Sequence, residues 1–175
     1  MKRMLWSGAI AAMLLAVGAQ GVLAGETPSG KTDAKAAFEK LKGLAGNWSG
    51  TAEDLSVPVI YKVSANGNVV METLFAGTDH EMITMYHLAG GDLVATHYCS
   101  TGNQPRFKLD VEKSSPTELI FAFDGGTNFD PAKDGHIHGG RIGFAEDGKL
   151  KAAWAFYAGG KQVENKEFQL TRAAN

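Results

Sequence analysis

Residues 82–100 have the sequence MITMYHLAGGDLVATHYCS, and this stretch decides the fold. Two runs of alternating apolar and polar residues flank Gly90-Gly91, a pair that favours a tight hairpin turn. Because successive side chains of a strand point to opposite faces, each run has one face for a core and one for solvent. The stretch therefore predicts an antiparallel hairpin in which Thr84 lies opposite His97.

The same pattern continues along the chain after Trp48. Short runs with strand character are separated by turn sequences such as Asn66-Gly67, Asp147-Gly148 and Gly159-Gly160. These connections are too short for crossover helices, so the sheet must be antiparallel. About ten such strands favour an all-β, up-and-down barrel, since closure removes exposed edges, and a sandwich is the alternative. The predicted strands are 48–54, 59–64, 69–75, 80–88, 93–100, 106–112, 118–124, 136–145, 150–157 and 162–172.

A single short helix is predicted before the strands, in the sequence TDAKAAFEKLKGL. Thr32 or Asp33 can cap its start, and a glycine at 43 or 46 can end it. We expect this helix to cover about residues 33–44, within one barrel domain that spans residues 33–175. Its apolar stripe consists of Phe38, Leu41 and Leu44.

The first 24 residues have the features of a secretory leader. Lys2 and Arg3 precede an apolar run that ends at Ala24 in a small-x-small cleavage pattern. We therefore predict a signal peptide over residues 1–24, a flexible tether over 25–32, and a periplasmic or secreted mature protein. Glycines and a glutamine interrupt the apolar run, so stable membrane insertion after cleavage is not expected.

Composition narrows the classes of partner. The chain has a formal net charge of -2, and loss of the two basic leader residues would take it to about -4. No basic tract remains, so nucleic acid is not an expected partner. Cys99 is the single cysteine, so no intramolecular disulfide can form, and such a lone thiol is usually buried and inert.

The sequence LAGNWSG (residues 44–50) follows the predicted helix and resembles the opening of the calycin superfamily, which includes lipocalins and fatty-acid-binding proteins. Its signature is Gly-x-Trp on the first strand, here Gly46 and Trp48. The resemblance implies a barrel in which an arginine near the end of the last strand packs over this tryptophan. Arg172 stands where that arginine is expected.

Two further resemblances bear on function. The sequence GNWSG is also similar to the start of nitrobindin-like haem barrels, which carry a histidine ligand near the C-terminus. This chain has no histidine after His138, so a haem site is not supported. Residues 72–107 look like a group of secreted bacterial barrels that carry only a domain-of-unknown-function label, a resemblance that implies a fold and no activity.

The hairpin register sorts polar residues between the two faces of the sheet. Thr84, Tyr86 and His97 share a face with Met82 and Cys99, and this mixture of mid-sized polar and apolar groups is typical of a ligand-holding interior. We therefore predict Tyr86 and His97 as ligand contacts. The alternative is a filled interior in which these polar groups bond only to one another.

A second hairpin, around Asp147-Gly148, predicts an interior anchor for an anionic group. A two-residue turn there places Arg141 opposite Trp154 on the inner face, and a buried arginine needs an anionic, carbonyl or aromatic partner. Arg106 is a second candidate for this role. The sequence thus favours an exported barrel that binds a small, partly apolar ligand with an anionic group.

The sequence DGHIHGGRI (residues 134–142) suggests an alternative chemistry. His136 and His138, two apart on a strand, lie on one face at a spacing that suits chelation of zinc, although spacing identifies no third ligand. Glycine inside a strand often marks a bulge, and a bulge at Gly139-Gly140 would turn both histidines toward the face of Arg141. The alternative function is therefore a metal- or histidine-dependent enzyme, although no standard catalytic motif occurs in the sequence.

Overall fold

The computed structural model describes residues 32–52 and 55–173, which form a closed antiparallel barrel after one short helix. Each strand pairs with its neighbours in sequence, and the first strand pairs with the last. The predicted all-β, up-and-down fold is confirmed, and a barrel of this kind is consistent with a calycin-like fold. The strands are β1 (Gly46–Ala52), β2 (Leu55–Ser64), β3 (Val69–Leu74), β4 (Met82–Ala89), β5 (Asp92–Tyr98), β6 (Gln104–Leu109), β7 (Glu118–Thr127), β8 (His136–Phe144), β9 (Leu150–Ala158) and β10 (Lys161–Arg172), with a 3-10 turn at Ala65–Gly67.

The helix α1 (Ala34–Lys42) lies where the sequence predicts it. The carboxylate of Asp33 accepts a hydrogen bond from the backbone N–H of Ala36 at 2.7 Å, and the helix ends at Gly43. Its apolar stripe is buried in the barrel core, against β2, β4 and β5.

Trp48 and Arg172 join the helix to the first and last strands. The Trp48 indole N–H donates to the carbonyl of Leu44 at 2.7 Å, and the Arg172 guanidinium lies 4.6 Å from the ring centre. The guanidinium also donates to the carbonyls of Ala45 (3.0 Å) and Gly43 (2.7 Å). This is the packing that the calycin resemblance implies.

The register predicted for the Gly90-Gly91 hairpin is confirmed, since Thr84 lies opposite His97. At the Gly159-Gly160 turn, Lys161 lies opposite Ala158 and Phe168 lies opposite Ala152, so β10 has one more residue than β9 between these two pairs. The additional residue is accommodated as a bulge between Gln162 and Glu164 in β10.

The register predicted around Asp147-Gly148 is wrong by one residue. The β8–β9 connection is a longer turn in which the backbone N–H of Ala145 bonds to the carbonyl of Lys149. Arg141 therefore lies opposite Ala153, and Trp154 lies opposite Gly140. Because a slip of one residue exchanges the two faces of a strand, Arg141 points to the outer surface while Trp154 stays inside.

Residues 1–24 and nearly all of the predicted tether lie outside the described residues, so the leader stays a prediction. Within residues 32–52 and 55–173, no helix is long and apolar enough to cross a membrane.

Candidate functional site

The barrel encloses a cavity of about 710 Å³. Most of its wall is apolar and comes from strands β3, β4, β8, β9 and β10. Polar side chains interrupt this wall in two places, one formed by β3, β4 and β5 and the other by residues 164–167 of β10. The main apolar contributors are Leu74, Phe75, Met82, Ile137, Trp154 and Phe168.

The first of these two polar groups is a row of side chains that crosses four neighbouring strands. Tyr61 on β2 lies opposite Glu72 on β3, Glu72 lies opposite Thr84 on β4, and Thr84 lies opposite His97 on β5. All four point inward, because each occupies an inward position in the alternation of its strand. Tyr86, one inward position further along β4, lies next to this row.

Glu72 is the centre of the row and is buried. Its Oε1 accepts a hydrogen bond from the Tyr61 hydroxyl and its Oε2 accepts one from the Tyr86 hydroxyl, both at 2.7 Å. Burial raises the pKa of the Glu72 carboxyl, and hydrogen bonds from Tyr61, Tyr86 and Thr84 partly oppose that increase. Burial and the nearby carboxyl raise the pKa of both tyrosines, which therefore remain protonated donors.

His97 forms the end of the row and faces the cavity. Its Nδ1 lies 2.9 Å from Oγ1 of Thr84, and its Nε2 is buried without a hydrogen-bond partner among the described residues. Burial lowers the pKa of His97 to about 4, so the imidazole is neutral at pH 7. A neutral imidazole carries one donor and one acceptor nitrogen, and the tautomer determines which of Nδ1 and Nε2 is the donor.

The hydrogen bond to Thr84 links the tautomer of His97 to the role of Nε2. In the tautomer that carries the proton on Nδ1, this nitrogen donates to the Thr84 oxygen at 2.9 Å. Nε2 of His97 then carries an unshared electron pair. This nitrogen can accept a hydrogen bond from a bound molecule, or it can coordinate a metal ion.

The predicted contact residues separate into two groups. Tyr86, His97 and Trp154 are inside the barrel: Tyr86 bonds to Glu72, and the other two line the cavity. Arg106 and Arg141 are on the outer surface, so neither can anchor a ligand in the cavity. The structure therefore places both arginines away from the cavity that they were predicted to serve.

The outward position of the two arginines follows from pairing. Arg106 lies opposite Thr96 and next to the inward-facing Phe107, so the alternation turns it outward. The guanidinium of Arg141 lies 3.7 Å from the Glu118 carboxylate and 3.8 Å from that of Glu167, with about half of its side chain exposed. Its partners are surface carboxylates rather than a ligand.

The histidine pair of β8 lies on the face opposite the cavity. Ile137, between the two histidines, lines the cavity, and a bulge follows it before Gly139. His136 donates from Nδ1 to the carbonyl of Asp134 at 2.9 Å, and its Nε2 lies 2.9 Å from Nδ1 of His138. The bulge considered at Gly139-Gly140 lies instead at His138, between Ile137 and Gly139, and the histidines are on the same outer face as Arg141.

Aromatic rings surround these two histidines. The imidazole of His138 is stacked between Phe123, with ring centres 4.2 Å apart, and Tyr157, at 4.0 Å. Phe129 covers His136, which is fully buried. The facing nitrogens bond to each other rather than to a shared ion, and the described residues contain no group of three His, Cys, Asp or Glu side chains that could hold a metal. Among the described residues, the two histidines therefore have no third ligand with which to hold a zinc ion.

The fold and cavity define the class of this protein as an antiparallel β-barrel with an internal, mainly apolar cavity that polar side chains interrupt in two places. No known family matches the chain, and no curated protein matches it either.

Proposed function

We propose that this barrel binds a small, uncharged and largely apolar molecule that carries one hydroxyl or N–H group. The observation that carries the proposal is the buried, unpaired Nε2 of His97 beside an apolar cavity of about 710 Å³. Small-molecule pockets commonly have volumes of about 300–1,000 Å³ and place a few polar groups in an apolar wall. A buried acceptor without a partner is unfavourable, and a donor on the ligand would satisfy it.

The charges around the cavity favour an uncharged ligand. Among the described residues that line the cavity, Lys166 is the only lysine or arginine, and its ammonium is ion-paired with the carboxylate of Glu164. Both oxygens of Glu72 already accept hydrogen bonds from tyrosines. A charged ligand would lose its hydration without gaining a free partner of opposite charge.

We place this binding outside the cytoplasm, on the strength of the leader-like sequence of residues 1–24. N-terminal sequencing of the protein from periplasmic or culture fractions should give a chain that begins at Gly25. A full-length chain that stays in the cytoplasmic fraction would contradict this part of the proposal.

Binding of an uncharged fluorescent probe tests the proposed cavity. The amine N-phenyl-1-naphthylamine is apolar and has a single N–H donor, and we expect saturable binding with a blue shift of its emission. Leu74→Trp fills the cavity and should weaken this binding roughly tenfold or more. A tenfold change in affinity corresponds to a loss of about 1.4 kcal/mol of binding free energy.

Leu88→Trp is the matched control, since Leu88 is 40% exposed at the end of β4 and does not line the cavity. This variant should bind the probe as the unmodified protein does. Absence of saturable binding to the unmodified protein, or equal affinity in the Leu74→Trp variant, would exclude the cavity as the binding site.

A further inference from the structure

Two sulfur atoms face each other at the wall of the cavity. Sγ of Cys99 lies 4.0 Å from Sδ of Met82, and both residues line the cavity. Cys99 follows β5 and Met82 begins β4, so the ladder that aligns Thr84 with His97 also brings the sulfur atoms together. Both side chains are only partly buried, so a solute in the cavity can reach them.

A third donor lies on the same face of the same strand. His97 is two residues before Cys99, is 6% exposed, lines the same cavity, and has a buried Nε2 without a hydrogen-bond partner among the described residues. Thr84 holds the other ring nitrogen, Nδ1, so Nε2 is the nitrogen left for a ligand. The cavity wall thus combines a thiol, a thioether and a neutral imidazole.

We propose that Cys99, Met82 and His97 form a binding site for one soft monovalent metal ion of the Cu(I) type. Thiolate and thioether ligands select Cu(I), whereas hard ions prefer oxygen ligands. Two sulfurs that each lie about 2.3 Å from one ion in trigonal geometry are about 4 Å apart, which matches the observed separation. Binding forms a bond from the metal to Sγ, and the thiol proton passes to solvent.

This inference goes beyond the proposed binding of an organic molecule and does not depend on it. Both use Nε2 of His97, so we expect the ion and a hydroxyl-bearing ligand to compete for the cavity. The site is also distinct from the predicted zinc pair, because His136 and His138 lie on the outer face of β8 and bond to each other.

Anaerobic titration with Cu(I) in the presence of a coloured Cu(I) chelator tests the site. The unmodified protein should remove one equivalent of Cu(I) from the chelator. Cys99→Ser should abolish this removal, and Met82→Leu should weaken it roughly tenfold or more, in the range typical of disturbed metal sites. Met85→Leu is the matched control, since it makes the same change on the same strand at a position that does not line the cavity.

A second measurement keeps the test independent of the folding of the variants. In the unmodified protein, one equivalent of Cu(I) should protect Cys99 from alkylation, and one equivalent of Zn(II) should protect it much less. Probe binding by the unmodified protein is measured in parallel, which separates failure of this site from failure of the cavity. Equal affinity for Cu(I) in Cys99→Ser and the unmodified protein, or alkylation that Cu(I) does not slow, would overturn the proposal.

Discussion

The orientation of His97 results from side chains on three other strands. Tyr61 donates to Glu72, Thr84 lies between Glu72 and His97, and each of these contacts joins neighbouring strands. Nε2 of His97, at the end of this row, is buried and has no hydrogen-bond partner among the described residues. The protein thereby keeps one ring nitrogen available in a mainly apolar cavity.

The depressed pKa of His97 predicts a specific dependence of stability on pH. The pKa is about 4 in the folded state and 6.5 in the unfolded chain, so between these values only the unfolded chain takes up the proton. Stability from this group is present above pH 6.5 and is lost as the pH falls through about 4. The loss amounts to roughly 3 kcal/mol when complete.

His97→Asn removes this titration and can keep the hydrogen bond to Thr84. Urea unfolding at several pH values should show that the variant loses less stability than the unmodified protein between pH 6.5 and pH 4. The raised pKa of Glu72 acts in the opposite direction, since folding favours its protonated form, but Glu72 is present in both proteins. Parallel curves of stability against pH for the two proteins would contradict the prediction.

At the scale of single elements, the β8–β9 pair decides the shape of the cavity. A Cβ atom at Gly140 would lie 2.4 Å from Cε3 of Trp154 and 2.6 Å from the carbonyl oxygen of Ala153. The absence of a side chain at this position therefore allows the indole to lie against the strand. The cavity keeps its volume because Trp154 does not project further into it.

Gly140→Ala should push the Trp154 indole toward the cavity. We expect a loss of stability of about 1–3 kcal/mol from overpacking, together with weaker binding of N-phenyl-1-naphthylamine. Gly143→Ala is the matched control on the same strand, where the nearest atom would be 3.4 Å away, and its effect should be within about 0.5 kcal/mol. Urea unfolding and probe titration of the two variants measure both effects, and equal behaviour would refute the packing argument.

The elements also show what the sequence can predict. The Gly90-Gly91 hairpin was predicted in register because a two-residue turn and strict alternation agree. The Asp147-Gly148 hairpin was not, because the same dipeptide occurs in turns of different lengths, and a slip of one residue exchanges the faces. Strand positions therefore follow from local patterns, while the inward or outward direction of Arg141 depends on the turn.

Only part of the candidate site could be predicted, because the register of a strand pair depends on its turn. Tyr86 and His97 belong to the hairpin with a clear register, and both lie inside. The predicted hairpins left out Tyr61 and Glu72, although the alternation in Val57, Val59 and Tyr61 marks an inward face. Their contact joins β2 to β3 across a longer turn at Ala65–Gly67, which local sequence does not align.

At the scale of the whole molecule, the barrel is least complete beside the first half of β10. Within the described residues, the ladder that closes the barrel joins residues 48–51 of β1 to residues 169–172 of β10. Five consecutive residues of β10, 164–168, line the cavity. Inward residues alternate in a closed wall, so a continuous run indicates that this segment borders an opening. The exposed Leu55 of β2 lines the cavity at the same place.

This opening predicts the route by which a ligand enters. Among the described residues, no residue of β1 pairs with residues 161–168 of β10, so these should exchange amide hydrogens faster than residues 169–172 of the same strand. Saturation with N-phenyl-1-naphthylamine should slow exchange in residues 161–168, because the bound molecule lies against this border. Hydrogen exchange followed by mass spectrometry measures both segments, with residues 118–122 of β7 as an internal reference that should not change. Protection confined to the helix end of the barrel, or exchange in residues 161–168 that the probe leaves unaltered, would place the entrance elsewhere.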